Sequence, residues 1–211
     1  MFRRFLAFFK DSKNKDTLAG LSVLLFFSAL YYLFWAFYLN GLEGSKILLE
    51  NPARFFWWAN DARSYQDAAN WLFGIGDKGV ILTRPWLYPF YLGVNKALFG
   101  ARGEAVMWIG QVLMWFGGIG FLYLALHNIT KKVPLAMLGA MLFFTHPSPL
   151  ILTFHGLTET LNIFLLAIFL WLLTYEEKRN DALLIFILVL MTVTKPTYQL
   201  QLVLFLLYWL I

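Results

Sequence analysis

An all-α, polytopic membrane protein with about six transmembrane helices is the fold this sequence predicts, and three observations carry that prediction. Of its 211 residues, 60% are hydrophobic and 14% charged, which reverses the balance a water-exposed globule needs, so lipid has to be the solvent for much of its surface. Apolar stretches near the roughly 20 residues that a bilayer-spanning helix requires recur along the chain, separated by short clusters of charge. Aromatic runs such as Tyr31-Tyr32, Phe55-Phe56-Trp57-Trp58 and Tyr208-Trp209 suit the headgroup boundary, where an amphipathic ring has one dry side and one wet side.

The elements follow in order. Residues 1–16 form a basic tail with Arg3, Arg4, Lys10, Lys13 and Lys15, and the positive-inside rule places such a tail in the cytoplasm. The next run, 17–39, is unbroken; it is much longer than a signal-peptide core and no small-residue cleavage site follows, so it reads as a retained anchor. Further spans are expected over 105–126, 133–152, 157–175, 181–196 and 198–211. Alternation makes 127–132 and 176–181 cytoplasmic turns, and these hold Lys131, Lys132, Lys178 and Arg179, as the charge rule requires.

On the opposite face lie the loop 40–104, the turn His146-Pro147-Ser148-Pro149 and the break at Lys195-Pro196. The loop has basic residues too, but its 65 residues exceed the length over which the charge rule is counted. It is too aromatic for a loose linker, so amphipathic interfacial helices are expected over 52–58 and 61–73. The run 86–98 is short for a span and follows Pro85, which predicts a surface-lying or partly inserted helix. The last run has only 15 residues after Pro196 and no polar flank, so the single module 1–211 is expected to be part of a longer protein or to need a partner helix.

Composition excludes several chemistries. Without cysteine there is no disulfide, thiolate metal site or cysteine nucleophile. The net charge of +5 is scattered between apolar segments and forms no stripe for nucleic acid, so none is expected as a partner. Asp61-Ala62-Arg63 lacks the second close carboxylate that would bridge a divalent ion, so no required metal is predicted. Gly74-Ile75-Gly76 and Gly117-Gly118-Ile119-Gly120 neither precede Lys-Ser/Thr nor sit in a βαβ unit, and the second cluster reads as helix packing inside a span.

The most informative stretch is Asn60-Asp61-Ala62-Arg63-Ser64-Tyr65-Gln66-Asp67, followed by Thr83-Arg84-Pro85-Trp86-Leu87-Tyr88-Pro89. Downstream come Gly156-Leu157-Thr158-Glu159-Thr160-Leu161 and Thr194-Lys195-Pro196-Thr197. In kind and order these patterns resemble the GT-C superfamily of membrane glycosyltransferases, over roughly residues 15–211. Protein mannosyltransferases, aminoarabinose transferases of lipid A and less specialised bacterial enzymes are the relatives they resemble. The resemblance implies a polyprenyl-phosphate-linked sugar as donor, Asp61 as the general base, and inversion at the anomeric carbon. The chain departs from the pattern in having lysine before Pro196, where arginine is common, and no extramembrane C-terminal domain is expected within these 211 residues.

Elementary chemistry points to the same residues. Moving a sugar off a lipid phosphate needs a base for the acceptor hydroxyl and cations for the phosphate that leaves, which Asp61 with Arg84 and Lys195 would supply. Glu159, Tyr65, Tyr88 and His155 would shape the sugar or acceptor pocket, the acceptor being a glycan, lipid or protein. Each also has a plainer reading. Asp61 fits a helix N-cap, Asp67 a solvated position, Arg84 and Lys195 snorkelling, Glu159 a favourable charge at a helix start, and His146 and His155 interfacial residues without catalytic duty. The rival functions are a non-catalytic polyprenyl-lipid binding or transport protein and an accessory membrane subunit. The expected location is a bacterial or archaeal cytoplasmic membrane with the site on the non-cytoplasmic face.

Overall fold

The computed structural model describes residues 15–40, 52–58, 60–74, 84–175 and 181–210, and the basic tail before Lys15, most of the turn 176–181 and parts of the loop 40–104 lie outside them. The described chain is all-helical: α1 (Lys15–Asn40), a 3-10 turn (Pro52–Phe55), α2 (Asn60–Leu72), α3 (Leu87–Phe99), a 3-10 turn (Gly100–Arg102), α4 (Gly103–Thr130), α5 (Val133–Phe144), α6 (Pro147–Ile151) continued by a 3-10 turn (Leu152–Phe154), α7 (Glu159–Thr174), α8 (Asp181–Thr192), a 3-10 turn (Pro196–Tyr198) and α9 (Gln199–Leu210).

Among the described residues, two helical stretches are long and apolar enough to cross a membrane, or three if α5 and α6, bent by 65°, are taken as one broken span. The bend falls where it should: His146 is extended, as the residue before proline prefers, and Pro147 opens the next helix. α7, α8 and α9 are apolar but shorter than a full crossing.

The second long stretch, Leu87–Thr130, is folded back on itself. Gln111 Nε2 donates to the Tyr88 hydroxyl at 2.7 Å, although a straight helix would hold residues 23 apart at about 34 Å. The Tyr91 hydroxyl likewise donates to the Met107 carbonyl at 2.9 Å. The fold-back is made at Gly100, whose φ of 53° is a conformation that favours glycine and stops α3. α3 is therefore a short helix packed on the start of α4, and α4 with its 28 residues, about 42 Å, is the crossing element.

α4 is the hub. α1 lies against it antiparallel, with the Tyr123 hydroxyl donating to the Thr17 carbonyl at one end and Tyr32 against Phe116 nearer the other. α7 runs beside α4 in the same sense: Phe121 touches Phe164 and Trp171, and Asn128 pairs with Thr174. The close approach uses the glycine cluster, since a Cβ on Gly117 would stand 2.8 Å from the Phe164 ring and one on Gly118 3.6 Å from the Phe164 Cα. α8 returns antiparallel to α7, closing a second apolar cluster of Leu165, Leu172, Leu184, Leu188 and Met191.

The amphipathic helix expected over 52–58 is not formed. Only Pro52–Phe55 is helical; Phe55 and Phe56 are buried, and Trp57 runs extended as a one-residue parallel bridge to His155. Its rings are core rather than interfacial anchors, because Phe55 stacks on Trp108 at 5.0 Å and leans on Phe154. The second expected helix, 61–73, is present as α2.

Candidate functional site

Asp61 and Tyr65 are one turn apart on α2, and Tyr65 is buried while the Asp61 side chain is 80% exposed. Asp61 lies within the first turn rather than at the cap, and its Oδ1 accepts from Arg84 Nη2 at 3.2 Å. The Arg84 guanidinium also covers the Tyr65 ring, 4.8 Å from its centroid, in cation–π contact. Tyr65 in turn meets the Tyr88 ring edge-on at 5.5 Å. Tyr88 is fully buried and its hydroxyl is held by Gln111, so the α2–α3 pair is pinned to the crossing helix α4.

The second half of the chain arrives at the same place. The Leu87 N–H donates to the Val193 carbonyl at 3.3 Å, which ties the start of α3 to the segment after α8. Two residues on, Lys195 Nζ donates to Glu159 Oε1 at 3.3 Å, joining that segment to the first residue of α7. Glu159 lies within electrostatic reach of Tyr88, and its Oε2 is buried without a hydrogen-bond partner among the described residues. Asp61, Arg84, Tyr65, Tyr88, Glu159 and Lys195 thus gather at one end of the bundle as two ion pairs around a buried tyrosine.

His155 stands to one side, against Trp57 at 5.4 Å between ring centroids. Its Nδ1 is buried without a partner, and burial lowers its pKa below the ordinary 6.5. The sign of the consequence follows. The unfolded chain takes up a proton near pH 6.5 that the folded chain takes up only at lower pH, so stability is full above pH 6.5 and falls as pH drops below it. The thermal midpoint in detergent is expected to fall between about pH 7.5 and about pH 5, and His155→Phe should shrink that fall. An equal fall in both proteins rules His155 out as its source. His146 and Asp67 are exposed, and neither joins the two ion pairs.

Some polar groups at this end escape a reading based on motifs. Among the described residues, Gln111 is completely buried with its Oε1 unpartnered, and Thr160 and Asn162 on α7 are buried with their side-chain polar atoms unpartnered. Their signal in the sequence is a lone amide or hydroxyl inside an otherwise apolar helix, which is costly unless something answers it.

Comparison with protein-family models, with curated proteins and with solved structures finds no match to this chain. The functional reading therefore rests on the site's own geometry and on the motif resemblance.

Proposed function

We propose that this protein is a GT-C-like membrane glycosyltransferase that moves a sugar from a polyprenyl-phosphate donor to an acceptor hydroxyl on the non-cytoplasmic face. The observation that carries the reading is the ion pair of the exposed Asp61 carboxylate with Arg84, with the separate Lys195–Glu159 pair of the second half of the chain tied to the same segment through the Leu87–Val193 backbone bond. In the reaction, the Asp61 carboxylate accepts the hydroxyl proton as the acceptor oxygen bonds to the anomeric carbon. The bond from that carbon to the phosphate oxygen breaks with inversion, and the polyprenyl phosphate leaves against Arg84 and Lys195. Glu159 orients Lys195, while Tyr65 and Tyr88 hold Arg84 in place.

Membrane placement supports it. The stretch of α4 from Gln111 to Thr130 is about 30 Å long, the thickness of the hydrocarbon core, and Lys131 and Lys132 follow directly. If that stretch, rather than the 105–126 expected from hydropathy, fills the hydrocarbon, the level of Gln111, Tyr88 and the ion pairs would fall at the opposite boundary, where a lipid-linked phosphate resides. The senses of α1, α4, α5, α7 and α8 alternate as successive passes would, so the shorter helices fit a six-pass arrangement with thinned or partnered ends. The basic N-terminal tail then lies in the cytoplasm.

The rival reading, a lipid-carrier binding protein without turnover, draws on an apolar groove of about 200 Å³ between α1 and α4, lined by Leu33, Phe37 and Val112 among others. Reconstitution with polyprenyl-phosphate sugars separates the two, since the transferase releases or transfers sugar and the binding protein does not. In the transferase, Lys195→Ala and Arg84→Ala are each expected to raise the donor KM by about tenfold or more, the loss of one charge-assisted contact. Donor turnover insensitive to both removes the phosphate-binding role.

A further inference from the structure

A second cavity, about 310 Å³, lies between α2, the α3–α4 turn and Trp58, apart from the two ion pairs. Its size falls at the lower edge of small-molecule pockets, roughly 300–1,000 Å³. Its wall includes the buried apolar side chains of Ala69, Leu92 and Met107. Around them stand Gln66, Asn70, Lys96 and Glu104.

These polar groups are placed but not used up. Lys96 Nζ donates to Asn70 Oδ1 at 3.0 Å, and Trp58 Nε1 donates to Glu104 Oε1 at 3.0 Å. Each charged group is thus oriented by a neutral one, and Lys96 and Glu104 form no ion pair with another described residue. Among the described residues the Gln66 amide has no hydrogen-bond partner. The cavity therefore offers several donors and acceptors over an apolar wall, with one charge of each sign. A phosphate finds no excess of positive charge there, whereas a pyranose ring, with its apolar C–H face and rim of hydroxyls, matches both parts.

Depth selects the source of the ligand. Glu104 precedes Gln111 by seven residues, about 10 Å along α4, away from the hydrocarbon. On the membrane placement proposed above, with a headgroup layer of only about 5–8 Å on each side, Glu104 and the edge of the cavity it forms would lie beyond that layer, on the water side.

We propose that this cavity is a saccharide-binding subsite, and that it holds the hydroxyl-bearing part of the acceptor for the transfer described above. The acceptor assignment rests on that transferase reading; the saccharide site does not. Trp58 links the two places, since it precedes Asp61 by three residues and borders the cavity.

The test uses the full chain in lipid nanodiscs and a panel of neutral, N-acetylated and uronic-acid disaccharides, with binding read by saturation-transfer NMR. Gln66→Leu removes an amide that has no partner among the described residues, and Glu104→Gln keeps the oxygen that Trp58 needs. Each is expected to weaken disaccharide binding roughly tenfold and to raise the acceptor KM while leaving the donor KM unchanged. Asp61→Asn should bind disaccharide as the wild type does. If no disaccharide of the panel binds, if both cavity variants bind like wild type, or if a zwitterionic phospholipid displaces the sugar, the subsite is overturned. Saccharide binding that depends on Gln66 without any sugar transfer keeps the subsite and overturns the transferase. Asp61-dependent transfer with an unmoved acceptor KM does the reverse.

Discussion

Asp61→Asn is expected to lower sugar transfer by roughly 10²–10⁴-fold, the range that a positioned general base contributes. Asparagine has the same shape and retains an oxygen that can accept from Arg84, so the 3.2 Å contact can survive as a hydrogen bond from the guanidinium cation to a neutral amide oxygen. The side chain is 80% exposed, and exposed substitutions of this kind usually change stability by no more than about 0.5 kcal/mol. What is lost is the ability to take a proton from the acceptor. Because the donor phosphate is assigned to Arg84 and Lys195, the donor KM should move little while kcat collapses. A well-folded variant that transfers sugar at the wild-type rate eliminates Asp61 as the base.

Tyr88→Ala is expected to destabilise the protein by about 3–5 kcal/mol, as truncation of a large buried ring does. Tyr88 is fully buried, touches Tyr65 and Tyr91, and receives the amide of Gln111. Its removal opens a cavity and leaves Gln111, whose Oε1 is already unpartnered, with no partner at either end among the described residues. Tyr88→Phe keeps the ring and loses only the hydroxyl, so it should cost about 0.5–1.5 kcal/mol. Thermal unfolding of both variants in one detergent at one pH gives the comparison. Equal, small losses would mean that Tyr88 does not brace Tyr65 and, through it, Arg84.

Much of this was legible in the sequence where one physical signal dominates. The unbroken apolar run after Lys15 becomes α1, the Pro147 step breaks the third run, and the glycine cluster at 117 and 118 becomes a helix contact. The motif residues Asp61, Arg84, Glu159 and Lys195 were legible as charges stranded beside apolar helices. Their pairing was not, because it depends on how α2 and α3 lie against the rest, and that is decided by Tyr65, Tyr88 and Gln111 packing together across distant segments. The segment 52–58 misled for a related reason. Its aromatic content suits both an interface and a core, and only the docking of Trp57 against His155 chooses between them.

The strap from Leu87 to Val193 bears on biogenesis. A nascent chain that has threaded only its first spans into the bilayer already carries Asp61 and Arg84, yet the backbone carbonyl that anchors their segment has not been synthesised. Such non-local closure comes late, after the intervening loop entropy has been overcome. On the proposed transferase reading, an unfinished polypeptide in the translocon would be inert toward lipid-linked sugar, and competence would arrive with the helices that carry Glu159 and Lys195.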